Sequence, residues 1–153
     1  MLGYGLMACP YFDPVRVHPA PLAYSTMPRP LGDCWMGTCR AGLDRDAEPD
    51  TAVLDSLCNF GYARGRCPRF PEDDPGPDAV RFAITTVAAS SLELCYVQER
   101  DHHPFAQGSL SYSLAAGRFL PATGDAPPQE IVVRQAEAYV KSYLRRQPEA
   151  YRS

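Results

Sequence analysis

Hydrophobic and polar positions along the chain divide it into two unlike parts. Beyond residue 78 the pattern is regular. Ala79 to Ala88 is rich in β-formers, Ser91 to Glu99 alternates Leu92, Leu94 and Tyr96, and Ser109 to Leu114 alternates Leu110, Tyr112 and Leu114. A period of two with short connections predicts three strands of an antiparallel meander. Ala115 to Arg118 then turns into a short final strand at Phe119-Leu120. From Gln129 to Arg146 the period lengthens. Val132, Ala136, Tyr139, Val140, Tyr143 and Leu144 share one stripe, which predicts an amphipathic helix. Lys141, Arg145 and Arg146 suit its C-terminal dipole, and Pro148 follows it.

Before residue 78 no period persists. Six prolines between Pro10 and Pro30 punctuate the first stretch, which predicts extended chain wrapped over something else. Asp44 to Asp50 is polar and predicted exposed. Asp50 or Thr51 can cap a short helix through Ala52, Val53, Leu54, Leu57 and Cys58, with Gly61 ending it. Pro71 to Pro77 is an acidic connector. The expected architecture is α+β: an irregular, Cys-rich N-terminal half, then a three- to four-stranded antiparallel meander with one C-terminal covering helix. We expect one domain over residues 1–153, with a metal-binding, loop-rich half at 1–77 and the meander plus helix at 78–147.

Composition sharpens this picture. Sixteen prolines, eleven glycines and 45% apolar residues describe a chain with a modest core and many turns. Such a chain often needs a covalent or metal staple. The six cysteines are the available staples. Net charge is -3 and no basic run occurs, which argues against a nucleic-acid partner. No stretch approaches the length of a membrane span, so no membrane insertion is expected. Leu6-Met7-Ala8-Cys9 has the outline of a lipobox, but no positive segment or long apolar run precedes it. A cytoplasmic setting, where thiols stay reduced, is therefore expected.

Cys9, Cys34, Cys39, Cys58 and Cys67 lie in the irregular half, and Cys95 lies in a strand pattern beside Leu94. A metal centre needs four soft ligands converging from segments free to wrap around it. Cys39, Cys58 and Cys67 read C-x18-C-x8-C. Gly61 and Gly65 lie between the last two, where backbone can approach a bulky group closely. Arg64, Arg66 and Arg69 stand beside those ligands and can offset the negative charge of a thiolate-bound cluster. Cys9 and Cys67 are each followed by proline, as is the last cysteine of bacterial ferredoxin runs. On that ground Cys9 is taken as the fourth ligand over Cys34, with a Cys34/Cys39 pair as the alternative. Cys95 is read as a small packed side chain. Zinc modules usually carry C-x2–4-C knuckles, and the nearest spacing here is C-x4-C. The spacing thus favours a [4Fe–4S] cluster on Cys9, Cys39, Cys58 and Cys67, with zinc as the alternative.

Asp101-His102-His103 before Pro104 reads as a polar hairpin turn. Either histidine could replace one thiolate, as imidazole does in Rieske centres. No nucleophile elbow, P-loop or dinucleotide fingerprint occurs, so a stand-alone enzyme is not expected. The remaining enzymatic reading is a reactive thiol at Cys67 beside Arg66 and Arg69.

Four stretches, CNFGYARGRCPRFP from Cys58, DAVRF from Asp78, ERDHHP with GSLSY, and AYVKSYLRR near the end, resemble a group of hypothetical cysteine-containing proteins from GC-rich bacteria. The resemblance covers Cys9 to Arg146. It implies cysteines at Cys9, Cys39, Cys58 and Cys67 without a counterpart of Cys34, and it implies no activity. The function expected is a small iron–sulfur protein, in electron transfer or as an accessory subunit of a redox assembly with a protein partner. The alternative is a structural zinc adaptor without redox function.

Overall fold

The computed structural model describes residues 7–17, 30–41, 47–59, 63–71, 73, 75–121 and 129–145. The fold is α+β, with two antiparallel sheets and a C-terminal helix. Strands β1 (Phe12–Val17) and β2 (Trp35–Cys39) form the first sheet. Next comes a short helix α1, Thr51–Val53, which widens into a π-helical turn over Leu54–Cys58. The second sheet is the meander β3 (Ala79–Val87), β4 (Ser91–Arg100), β5 (His103–Ser113) and β6 (Arg118–Phe119), hydrogen-bonded in that order. Helix α2, Glu130–Arg145, closes the chain.

The meander follows from alternation. Leu92, Leu94, Leu110 and Tyr112 are buried on one face, joined by Val80 and Phe82 from β3. Opposite Tyr96 the chain carries Gly108, and a Cβ there would run into the tyrosine ring at 2.6–2.8 Å. The β4–β5 turn is Asp101-His102, both at positive φ (54° and 64°). Two such residues define the type I′ turn, whose twist matches a hairpin. Asp78 Oδ2 accepts the Asp101 N–H at 2.7 Å and fixes the turn against the start of β3. The strand therefore begins at His103, well before the expected Ser109, because the hairpin carries the pairing past Pro104 and Gly108. A bulge at Gln98/Glu99 accommodates the proline.

The N-terminal half is more regular than its sequence pattern suggests. In β1, Pro14 breaks the alternation, but a bulge between Pro14 and Arg16 absorbs it. In β2, Gly37 pairs with Pro14, and a Cβ at Gly37 would collide with the Asp13 carbonyl. Breaker residues are thus the means by which these two strands approach. Asp50 caps α1, accepting the Val53 N–H at 3.0 Å. Gly61, residues 42–46, Arg146 onward and the stretch 18–29 lie outside the described residues.

Helix α2 does not simply cover the meander. It packs along β1. It also meets the meander through Tyr139, whose ring lies 5.9 Å from that of Phe82. One hydrophobic cluster consequently draws on both parts of the chain, from Ala8 and Phe12 through Leu54 and Phe70 to Val80, Leu94 and Val140. A bridge between Ala8 and Val80 joins them by backbone as well. Among the described residues, no helix is long and apolar enough to cross a membrane.

Candidate metal centre

Cys9, Cys39, Cys58 and Cys67 line one cavity of about 220 Å³. Each comes from a different piece of backbone. Cys9 precedes β1, and its N–H donates to the Cys58 carbonyl at 3.1 Å. Cys39 ends β2, paired with Phe12, and its N–H donates to the Ala47 carbonyl at 2.7 Å. Cys58 ends the π-helical turn. Such turns recur at functional sites because the wider spiral re-aims a side chain. Cys67 sits in a turn, its N–H on the Ala63 carbonyl at 2.7 Å and its own carbonyl accepting from Phe70 at 3.1 Å. Pro68, after Cys67, also lines the cavity.

Two buried amides hold these pieces in place. Asn59, beside Cys58, accepts the Trp35 N–H at 2.9 Å and donates to the carbonyls of Trp35 and Leu54, each at 2.9 Å. It therefore fixes the Cys58 turn against the strand that ends in Cys39. Gln135 of α2 donates to the carbonyls of Cys9 (2.9 Å) and Phe12 (2.7 Å), pinning the Cys9 loop to the helix. Sequence reasoning singled out neither. Gln135 was nonetheless readable, as a polar residue on the apolar stripe one step before Ala136.

Two of the four thiols are held protonated by their surroundings. Burial pushes the Cys9 thiol well up, and the charges of Cys39 and Cys67 push it further, against the Phe12 amide. Cys58 is also raised, first by burial, then by Cys9, Cys39 and Cys67, and least by Asp50. A thiolate at Cys9 or Cys58 is disfavoured by burial first and by its neighbours second, unless a cation shares the cavity. Arg69 supplies one positive charge: its Nε lies 3.3 Å from Cys39 Sγ, and Nη2 donates to the Ala41 carbonyl at 2.6 Å.

The other two arginines of the sequence reading are placed differently. Arg64 pairs with Asp78, and its guanidinium stacks 4.7 Å from the centre of the Phe70 ring, so it backs the cavity wall without lining the cavity. Arg66 is exposed and lines no part of the cavity. The pull of Asp78 redirects Arg64, and Arg66 lies on the outer side of the turn. Cys34 is buried next to Trp35 but outside the cavity, and Cys95 lies in β4 between Ala83 and Ser109. His102 and His103 are exposed at the hairpin tip and do not line the cavity.

Among the described residues, no three His, Cys, Asp or Glu side chains close on a point that could hold a single metal ion. The thiols stand around a hollow instead. Its walls are mainly apolar, from Phe12, Leu57, Ala63 and Phe70. A water-sized guest needs only about 10–15 Å³, so a cavity of about 220 Å³ suits a polyatomic guest. Four thiols around such a space form a donor set that fits a thiolate-bound cluster. No protein-family model, curated protein or solved structure matches this chain.

Proposed function

We propose that the chain is a small iron–sulfur protein holding a [4Fe–4S] cluster on Cys9, Cys39, Cys58 and Cys67, for electron transfer or as an accessory subunit of a redox assembly. The observation that carries this reading is that four thiols from four separate backbone segments line one apolar cavity. When bound, a cluster supplies one-electron chemistry at a potential set by its surroundings. The residues of the chain do the rest. Arg69 offsets negative charge at Cys39, Phe12 and Phe70 exclude water, and Asn59 and Gln135 hold the ligand loops in register. Cys67 is the least buried of the four, which gives the centre an edge near the surface for exchange with a partner.

Anaerobically prepared protein should be brown and contain about four irons and four acid-labile sulfides per chain. Cys58→Ser should lose most of that content, whereas Cys34→Ala and Cys95→Ala should keep it. One zinc without sulfide would replace the cluster with a structural zinc site. No metal in protein made with iron and sulfide supplied would reject both.

A further inference from the structure

A second hollow, of about 580 Å³, shares a wall with the thiol cavity. Cys9 and Phe12 line the thiol side, Pro10 and Asp13 line the larger groove, and Tyr11 lines both. The volume lies within the range of about 300–1,000 Å³ typical of small-molecule sites.

Its polar wall is built around Asp13, which is 1% exposed. Asp13 Oδ2 accepts from Arg40 Nη2 at 2.7 Å, and Oδ1 accepts from Arg134 Nε at 2.6 Å. One buried carboxylate thus holds two guanidiniums at the groove wall. Arg134 gives only its Nε to Asp13; among the described residues, its Nη1 and Nη2 make no hydrogen bond, and the side chain is 46% exposed. A guanidinium edge so presented suits a planar carboxylate.

We propose that this groove binds a small organic monocarboxylate, its carboxylate on Arg134 beside Arg40 and its apolar body against Tyr11 and Ile131. Glu130 also lines the groove, so a dianion seated on the Arg134 edge meets more repulsion than a monoanion does. The inference does not depend on a metal at the thiols, and an occupant would lie one residue from them.

Titration calorimetry on the full chain as isolated tests it. The probes are benzoate and hexanoate, with benzyl alcohol as the neutral analogue and phenyl phosphate as the dianion. At least one carboxylate should bind, with benzyl alcohol weaker by about tenfold or more and phenyl phosphate no tighter. Arg134→Gln should weaken carboxylate binding by about tenfold or more. Ile131→Trp, which fills the groove and leaves both arginines, should abolish it. Arg118→Gln, on exposed β6, should change nothing. If Arg134→Gln fails to fold, Ile131→Trp and the alcohol comparison decide alone. No heat with either acid up to about 10 mM, unchanged binding in Ile131→Trp, or tighter binding of phenyl phosphate would each overturn the assignment.

Discussion

At the residue scale, the site depends on side chains that carry no metal chemistry. Asn59 accepts one hydrogen bond and donates two in a fully buried position, and it connects the Cys58 turn to the strand ending in Cys39. Asn59→Ala leaves the Trp35 N–H and carbonyl without those partners. At about 1–3 kcal/mol for each of the two stranded groups, the loss should reach about 2–6 kcal/mol. Urea unfolding checks the stability, and metal analysis of the same variant should show reduced loading. A variant that unfolds like the parent would mean that water substitutes for the amide.

The raised thiols give a second expectation at this scale. Cys9 and Cys58 titrate higher in the folded chain than the ordinary 9.0, so between those values the metal-free folded state holds protons that the unfolded state has lost. Their contribution to stability is complete below that ordinary value and is lost as pH rises above it. The slope is at most about 1.4 kcal/mol per pH unit for each thiol. Unfolding midpoints of metal-free protein between about pH 8 and pH 10.5 should fall accordingly. In metal-loaded protein the same ligands are already deprotonated, so the slope should flatten. Equal slopes in the two forms would show that these sulfurs do not hold the metal.

At the element scale, the β4–β5 hairpin separates the histidines from the candidate site. Asp101 and His102 occupy the two positions of a type I′ turn, which Asn-Gly fits with less strain. Replacing the pair by Asn-Gly should raise stability by about 0.5–1 kcal/mol and leave metal content unchanged. Loss of metal in this variant would bring His102 into the ligand set. The same element shows why part of the fold was hidden. The second half of β5 was visible in the alternation of Leu110, Tyr112 and Leu114. Its first half contains Pro104 and Gly108, and only pairing with β4, a bulge and the covering Tyr96 ring make them strand residues. In β1 and β2, Pro14 and Gly37 hid the strands in the same way, since a bulge and a close backbone approach appear only once the partner is present.

At the scale of the whole molecule, the two halves share one hydrophobic cluster, and α2 lies along β1 while reaching Phe82 of the meander through Tyr139. By its patterning alone, the stretch 78–146 can bury apolar surface by itself, and metal loss would then loosen the first half before it. The packing changes that expectation. Gln135 bonds the Cys9 loop, Asp33 pairs with Arg145, and Ser142 accepts from Trp35 Nε1 at 3.2 Å, so α2 should lose order with β1 and β2. Hydrogen exchange after metal removal should therefore quicken in Phe12–Val17, Trp35–Cys39 and Glu130–Arg145 together, with β4 and β5 keeping the most protection. Slow exchange in α2 beside fast exchange in β1 would restore the picture of independent halves.

The sequence by itself determined the meander and the C-terminal helix, whereas the cavity shared by Cys9, Cys39, Cys58 and Cys67 exists only in the folded chain. Periods of two and 3.6 record which faces are buried, and Cys-Pro pairs in loops with glycines mark thiols outside regular structure. It could not show which arginine serves the site, since Arg64, Arg66 and Arg69 are equivalent along the chain. Asp78 holds Arg64, Arg66 faces outward, and Arg69 reaches Cys39 across the fold. The groove around Asp13 was equally invisible, because Asp13, Arg40 and Arg134 are far apart in sequence and meet only where β1, the end of β2 and α2 pack together. Local pattern reports whether a residue is buried; which distant charge it meets there is decided by tertiary packing.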